Sequence, residues 1–149
     1  MNQRRTIREQ ALQILFSMEF NHLDWRIALS NFYLTMGDDS DKSEYLERVI
    51  EGVMEKYDLT NEIIREHSTN WRLERMAVVD KNILRIACYE LYDEKEIPRK
   101  VVINEAIEIA KKYGSEDSPA FINGVLDKIA LEARGKETPS NPGRVVDEG

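Results

Sequence analysis

Helical spacing of apolar residues is the feature that most constrains how this chain can fold. In residues 103–110 and 121–129, apolar side chains recur every three or four positions, as they do on one face of an α-helix. Between these segments, Ser118 and Pro119 suit the N-cap and the first position of a helix. Gly114 suits a left-handed C-cap. This part of the chain is therefore expected to form two helices joined by a tight loop.

The same spacing extends along most of the chain. No segment of useful length shows the alternation of a half-buried strand, so an all-α fold of about seven helices is expected. A turn-favouring segment after Ser68 divides them into two packed helical subdomains, residues 1–68 and 69–135, and residues 136–149 are expected to form a disordered tail. Gly124 costs about 1 kcal/mol inside its helix, which predicts that another group approaches it closely. The five other predicted helices cover about residues 3–20, 25–36, 46–54, 59–67 and 76–92.

The formal net charge of −7 is spread unevenly along the 149 residues. Residues 1–8 carry Arg4, Arg5 and Arg8 and no acid, so a small basic end precedes an acidic body. An acidic body argues against indiscriminate binding to nucleic acid. Three arginines would not hold RNA tightly by phosphate contacts alone, because counterions compete for each phosphate. If RNA is the ligand, a second basic patch or a partner is expected.

Two segments are candidate binding sites, and each has a simpler interpretation. Guanidinium groups bind phosphates and stack on bases, and Phe16, farther along the arginine-bearing helix, can offer a stacking platform for unpaired bases. The simpler interpretation is a solvated basic terminus with Phe16 in the core. In residues 114–118, the N–H groups at the start of the last helix can bind an anion. The simpler interpretation there is a plain helix connection, and the residues alone leave both choices open.

Motifs for catalysis are missing from the sequence. It has no glycine-rich phosphate loop, no nucleophile motif with a base and no metal-ligand spacing. His22 and His67 stand alone, and Cys88 lies in an apolar helical run typical of a buried side chain. No apolar run has the length of a membrane span, and no signal peptide is recognisable. A cytoplasmic protein without enzymatic activity, cofactor or metal is expected.

Three segments together resemble the NusB family. The first is RRTIREQALQILF at residues 4–16, and the second is VDKNILRIACYEL at residues 79–91. The third is INEAIEIAKKYG at residues 103–114, followed by SPAFINGVLDK at residues 118–128. They occur in the order typical of the family and span nearly the whole chain, and the second and third are highly specific together.

The resemblance implies a NusB-like fold of two packed three-helix bundles and a role in transcription antitermination. Members of the family bind boxA-type single-stranded RNA of ribosomal RNA transcripts together with NusE, which is ribosomal small-subunit protein ten, as part of an RNA polymerase elongation complex. The sequence leaves monomer and homodimer open. By position, the resemblance implies RNA-binding residues at Arg4, Arg5, Arg8, Phe16, Lys81, Arg85 and Ser118, and partner-binding residues at Asp80, Asp117 and Phe121.

A helical protein–protein adaptor without its own RNA-binding role is the main alternative function. The two functions are distinguished by the arginines of the first helix. If they bind RNA, replacing Arg5 or Arg8 with alanine is expected to weaken RNA binding and flatten its salt dependence. Thermal stability is expected to stay almost unchanged in both variants.

Overall fold

The computed structural model describes residues 3–36, 43–68 and 72–135, which form seven α-helices and one short 3₁₀ turn. No strand occurs in these three ranges, and the predicted all-α fold is confirmed. The predicted tail at residues 136–149 lies outside the described residues. The elements are α1 (Gln3–Asn21), α2 (Trp25–Met36), α3 (Glu44–Glu55), α4 (Tyr57–His67), the 3₁₀ turn (Leu73–Arg75), α5 (Val78–Asp93), α6 (Arg99–Tyr113) and α7 (Ser118–Arg134).

Capping side chains and a glycine fix several helix ends. The carboxylate of Asp24 accepts a hydrogen bond of 3.0 Å from the backbone N–H of Arg26, at the start of α2. Ser43 is the N-cap of α3, and its Oγ accepts a hydrogen bond of 3.2 Å from the N–H of Leu46. Helix α7 ends before Gly135, whose φ of 69° lies in the left-handed region that glycine favours. These ends agree with the turn and cap residues of the sequence.

Helix α5 lies at the centre of the fold and is buried from Asn82 to Leu91. It packs against α1, α3, α4, α6 and α7. Helices α5, α6 and α7 contact one another, α1, α2 and α3 form a second group of three, and α4 lies against α3, α5 and α7. The division into subdomains at residues 1–68 and 69–135 stays a prediction. None of the helices in the described ranges is long and apolar enough to cross a membrane.

Gly114 is a glycine for a different reason from the predicted one. Its φ of −94° and ψ of −168° are extended, not left-handed, so the predicted C-cap conformation is wrong. A Cβ added there would lie 2.6 Å from Oγ of Ser118 and 3.0 Å from the carbonyl oxygen of Ala110. The loop therefore folds back so tightly that only glycine fits. Ser118 is already the first residue of α7, and Asp117 occupies the N-cap position.

Gly124 does not face a close neighbour. A Cβ added to it would meet no atom within 4 Å, and the residue is exposed on α7. The predicted close approach is wrong. The glycine therefore weakens the helix without a compensating packing contact.

Candidate nucleic-acid interface

Arg5 projects from the first turn of α1 and is held at the surface by α6. Its Nε and Nη2 donate hydrogen bonds of 2.7 and 2.9 Å to the two carboxylate oxygens of Glu105. The Arg5 side chain remains 41% exposed. Its hydrogen bond and charge lower the pKa of Glu105 below the usual value. Such a fork fixes the orientation of the guanidinium before a ligand arrives.

Arg8, one turn away, is part of the core. It is 3% exposed, and its Nε donates to both oxygens of Glu90 at 3.0 and 2.9 Å. Glu90 also accepts a hydrogen bond from the hydroxyl of Tyr45. The network joins α1, α3 and α5. The expectation that replacing Arg8 leaves stability unchanged is wrong, because it would leave a buried carboxylate without its cation.

Arg4, beside Arg5 in the first turn of α1, contacts an aromatic ring. Its guanidinium carbon sits 4.0 Å from the centre of the Tyr45 ring, in cation–π geometry. Burial, followed by the nearby Glu90, raises the pKa of Tyr45, so its hydroxyl stays a donor to that carboxylate. The Arg4 side chain is half-buried and keeps its charge close to the surface of α1. RNA contacts by Arg4, Arg5 and Arg8 stay predictions, and an RNA contact by Arg8 would require its guanidinium to leave Glu90.

Phe16 is an exposed aromatic on the same side of α1 as Arg5. It is 40% exposed, and its ring packs against that of Phe20 with 5.1 Å between centroids. The interpretation of Phe16 as a core residue is therefore wrong. An α-helix turns by about 100° and rises about 1.5 Å per residue, which places Phe16 within about 20° of the line of Arg5 and roughly 16 Å along the axis. A cation and an aromatic face thus follow one another along a single stripe of α1.

A second basic element, which the sequence did not reveal, lies beside this stripe. Lys112, near the end of α6, contacts Glu9 of α1 at 3.2 Å, and the hydroxyl of Tyr113 donates to the same carboxylate at 3.1 Å. Hydrogen bonding to Glu9 raises the pKa of Lys112. Both side chains are exposed. Only the fold brings them to α1, because more than a hundred residues of chain separate the partners.

The two predicted cations of α5 are turned inward. Arg85 donates to Glu19 at 2.7 Å and to Asn61 at 2.9 Å, and its side chain is 3% exposed. Its guanidinium also lies 4.6 Å from the ring centre of Tyr57. Lys81 approaches Glu19 at 3.4 Å and is largely covered. RNA contacts by Lys81 and Arg85 stay predictions.

Glu19 is the carboxylate that these cations share. Its burial favours the neutral form, but the hydrogen bond from Arg85 and the charges of Arg85 and Lys81 outweigh that effect, so its pKa is lowered. Glu19 and Arg85 also line an open cleft of about 330 Å³ between α1, α3, α4 and α5. The other residues that line the cleft are Leu15, Met18, His22, Leu23, Met54, Tyr57 and Asn82.

Residues 114–118 form the hinge between α6 and α7, and its hydrogen bonds centre on Ser118. This side chain is 1% exposed; its Oγ donates to Asp80 at 2.7 Å and accepts from the N–H of Ser115 at 3.0 Å. The carboxylate of Asp80 therefore sits at the start of α7, where the helix dipole favours a negative charge. Asp117 is exposed, and Phe121 packs partly against the core. Binding roles for Asp80, Asp117, Ser118 and Phe121 stay predictions.

The hinge and the basic end of α1 are neighbours in space. Tyr113, which contacts Glu9, immediately precedes the hinge, and Glu9 lies about one helical turn after Arg5. The structure thus joins Arg5, Phe16 and Lys112 with the hinge along one side of α1. Arg8 and Arg85 are instead buried in ion pairs.

Known proteins are similar to this chain in sequence and in length. The NusB family matches residues 5–131 of the chain. A transcription antitermination protein NusB of Sorangium cellulosum is 47% identical over 130 residues, which cover 87% of this chain and 93% of that protein. A second, of Fervidobacterium nodosum, is 40% identical over 137 residues, which cover 92% of this chain and 96% of that protein.

Solved structures share the fold. A structure of T. maritima NusB superposes with a TM-score of 0.81 at 41% identity and covers 88% of this chain and 92% of that one. A structure of antitermination factors NusB and NusE in complex with dsRNA has a TM-score of 0.77 at 22% identity, with 87% and 96% covered, and supports the fold alone. The family match and these relatives at 40–47% identity show that this chain belongs to the NusB family.

Proposed function

We propose that this chain is a transcription antitermination factor that binds boxA-type single-stranded RNA together with NusE. The relatives that match over most of their length are transcription antitermination proteins. The observation that carries the RNA-binding part is the exposed stripe of α1, where Arg5 and Phe16 are aligned and Lys112 lies beside them. Contact with an elongating RNA polymerase and a cytoplasmic location belong to the same proposal.

In this proposal the stripe combines two kinds of contact. Arg5 and Lys112 contact phosphates, and Arg4 adds a third positive charge near the start of α1. A base stacks on the exposed ring of Phe16, an interaction worth about 1–3 kcal/mol that every base can make. Arg8 acts indirectly, because its buried pair with Glu90 holds α1 against α5.

The small number of cations along the α1 stripe supports a requirement for NusE. Each phosphate contact on a single strand contributes about 0.7 to the slope of log affinity against log salt. Three such contacts give weak binding at physiological salt, and the net charge of −7 repels RNA from the rest of the surface. A partner that adds its own contacts resolves this. We place that partner against the hinge and its neighbours, at Asp80, Asp117 and Phe121.

RNA titrations of the NusE complex test this proposal. Labelled boxA RNA and a scrambled RNA of equal length are titrated with the chain, with and without NusE, and fluorescence anisotropy is followed. Arg5→Ala is expected to weaken boxA binding and reduce the salt slope by about 0.7. Arg65→Ala, which removes an equally exposed arginine from α4, is the matched control and is expected to bind as the parent chain does. No preference for boxA in either condition would refute the proposal.

A protein–protein adaptor without an RNA-binding role is the second candidate. It is favoured by the pairing of the arginines with the chain's own carboxylates, since Arg5, Arg8 and Arg85 all face glutamates. Full NusE binding together with unchanged RNA affinity in the Arg5→Ala and Phe16→Ala variants would support it.

Self-association is a separate part of the proposal. Exposed apolar side chains cluster in sequence at the end of α1 and along α2, at Phe20, Ile27, Leu34 and Met36. By the ~100° turn per residue of an α-helix, Ile27 and Leu34 share one face of α2, and a homodimer through that face would cover them. Sedimentation of the Leu34→Lys variant and the parent chain over the same concentration range would reveal such a dimer, and identical monomeric profiles would exclude it.

A further inference from the structure

The ends of α4 and α7 bring together three side chains that can bind a metal ion. Glu66 and His67 close α4, and Glu132 lies near the end of α7. One ligand atom from each, an imidazole nitrogen and two carboxylate oxygens, lies within 4.8 Å of the others. Within the described ranges this is the one group of three or more such ligands. It shares no residue with the stripe of α1.

Hydrogen bonds orient the imidazole for coordination. Nδ1 of His67 lies 2.7 Å from the carbonyl oxygen of Ile63. A carbonyl only accepts, so Nδ1 carries a proton and Nε2 is the nitrogen that faces Glu132 Oε1, at 2.8 Å. In the neutral ring Nε2 then has the lone pair. A histidine whose other nitrogen donates to a backbone carbonyl is the usual arrangement of a metal ligand.

The carboxylates also fit this role. Glu132 is the more constrained of the two, because the hydroxyl of Tyr92 donates to its Oε2 at 3.0 Å while Oε1 faces the imidazole. The carboxyl end of α4 adds the negative end of a helix dipole, which favours a cation.

The ligand set favours a particular class of ion. Ligands at about 2.0–2.2 Å from a tetrahedral Zn²⁺ are about 3.3–3.6 Å apart. To reach that spacing, a separation of 4.8 Å shortens by about 1.2–1.5 Å, whereas the 2.8 Å between His67 Nε2 and Glu132 Oε1 widens by about 0.5–0.8 Å. The carboxylates are exposed enough to rotate. An imidazole nitrogen suits Zn²⁺ and related transition metals, whereas Mg²⁺ and Ca²⁺ prefer oxygen ligands alone.

We propose that Glu66, His67 and Glu132 form a binding site for Zn²⁺ or a similar transition-metal ion that joins α4 to α7, with water completing the coordination. The ion is inserted between His67 Nε2 and Glu132 Oε1, which lie 2.8 Å apart without it. Because α4 and α7 lie far apart in the chain, the unfolded chain does not hold the three ligands together. The bound ion therefore stabilises the folded state.

Zn²⁺ titration of the full chain tests the site. After treatment with a chelator and its removal, thermal unfolding is recorded at increasing ZnCl₂, and affinity is measured by isothermal titration calorimetry. The melting temperature is expected to rise with the Zn²⁺ concentration, and the calorimetric titration is expected to saturate at one ion per chain. MgCl₂ and CaCl₂ at the same concentrations are expected to leave it unchanged.

Three variants assign the ligands. His67→Gln and Glu66→Gln are each expected to weaken Zn²⁺ binding about tenfold or more, in the range seen when a metal site loses an important group. Glu66 takes no part in the two orienting hydrogen bonds, so Glu66→Gln tests the site even if His67→Gln destabilises α4. His22→Gln removes the only other histidine of the chain and is expected to bind as the parent does.

Several results would overturn the proposal. Absence of any rise in the melting temperature of the parent chain with Zn²⁺, together with no calorimetric binding, would do so. So would equal affinity of the parent, His67→Gln and Glu66→Gln chains, or loss of binding in His22→Gln. None of these outcomes depends on RNA or NusE, so they are independent of the proposed antitermination function.

Discussion

Replacing Arg8 separates a structural arginine from a surface arginine on the same helix. Arg8 is 3% and Glu90 1% exposed, and the pair is joined at 2.9–3.0 Å. Arg8→Ala would leave Glu90 buried with the Tyr45 hydroxyl as its remaining donor in this network. Breaking a buried ion pair from one side costs about 3–5 kcal/mol. For a chain of this length, that lowers the melting temperature by roughly 6–20 °C.

Arg5→Ala is the matched control for Arg8→Ala. It removes the same charge from the same helix and also leaves a glutamate behind, but its side chain is 41% exposed. Ion pairs that solvent screens contribute little to stability, so Arg5→Ala is expected to unfold almost as the parent chain does. Urea denaturation followed by circular dichroism gives the free energy of unfolding of both variants. Arg8→Lys, which keeps the charge but not the forked geometry, is expected to fall between them.

Restoring a neutral core provides a second test of the same reasoning. Arg8→Met combined with Glu90→Gln removes both charges and keeps an oxygen to accept the Tyr45 hydrogen bond. It is expected to recover part of the stability lost in Arg8→Ala, because an apolar replacement of a whole buried pair is often tolerated. Equal unfolding free energies for Arg8→Ala and Arg5→Ala would refute the structural role of Arg8.

Three further predictions concern the core and its charges. Gly124→Ala is expected to raise the free energy of unfolding by about 0.5–1 kcal/mol. Gly52→Ala is expected to lower it, because its Cβ would overlap the ring of Tyr89. Urea denaturation of both variants measures these changes, and a loss of stability in Gly124→Ala would contradict the first. Burial raises the pKa of the Cys88 thiol to about 12, so native protein at pH 8 is expected to react with a thiol reagent far more slowly than unfolded protein. The pKa of Glu105 is lowered from 4.5, first by the hydrogen bond from Arg5. The ionised Glu105 therefore contributes stability above about pH 4.5, and this contribution is lost as the pH falls through the folded-state pKa. Urea unfolding of the parent and Glu105→Gln chains between pH 3 and 7 is expected to show a smaller loss of unfolding free energy at low pH in the variant.

The helices were predictable because burial of one helical face imposes a regular spacing on the sequence. All seven predicted α-helices occur, with ends that differ by a few residues. The 3₁₀ turn at Leu73–Arg75 was not predicted, since three residues are too few to show a period. Gly114 illustrates the limit of local rules, because its requirement for glycine comes from Ser118 folding back onto it.

The arginines show which part of the site the sequence concealed. Arg8 precedes the buried residues Ala11, Leu12 and Leu15 by three, four and seven positions, so its place on the apolar face was readable from spacing. Its partner Glu90 was not readable, because it lies 82 residues away. The contact of Lys112 with Glu9 was hidden for the same reason. Spacing identifies the face of a helix, whereas only the packed structure identifies what that face meets.

Binding of boxA RNA by the Phe16→Ala variant in the presence of NusE tests whether the α1 stripe binds RNA. Loss of one base stack, worth about 1–3 kcal/mol, is expected to weaken binding about 5- to 150-fold. The salt slope is expected to stay unchanged, because the ring carries no charge. Leu59→Ala, which removes a comparably exposed apolar side chain from α4, is expected to bind as the parent chain does. Equal RNA affinity of the Phe16→Ala, Leu59→Ala and parent chains would contradict the assignment of the α1 stripe as the RNA-binding surface.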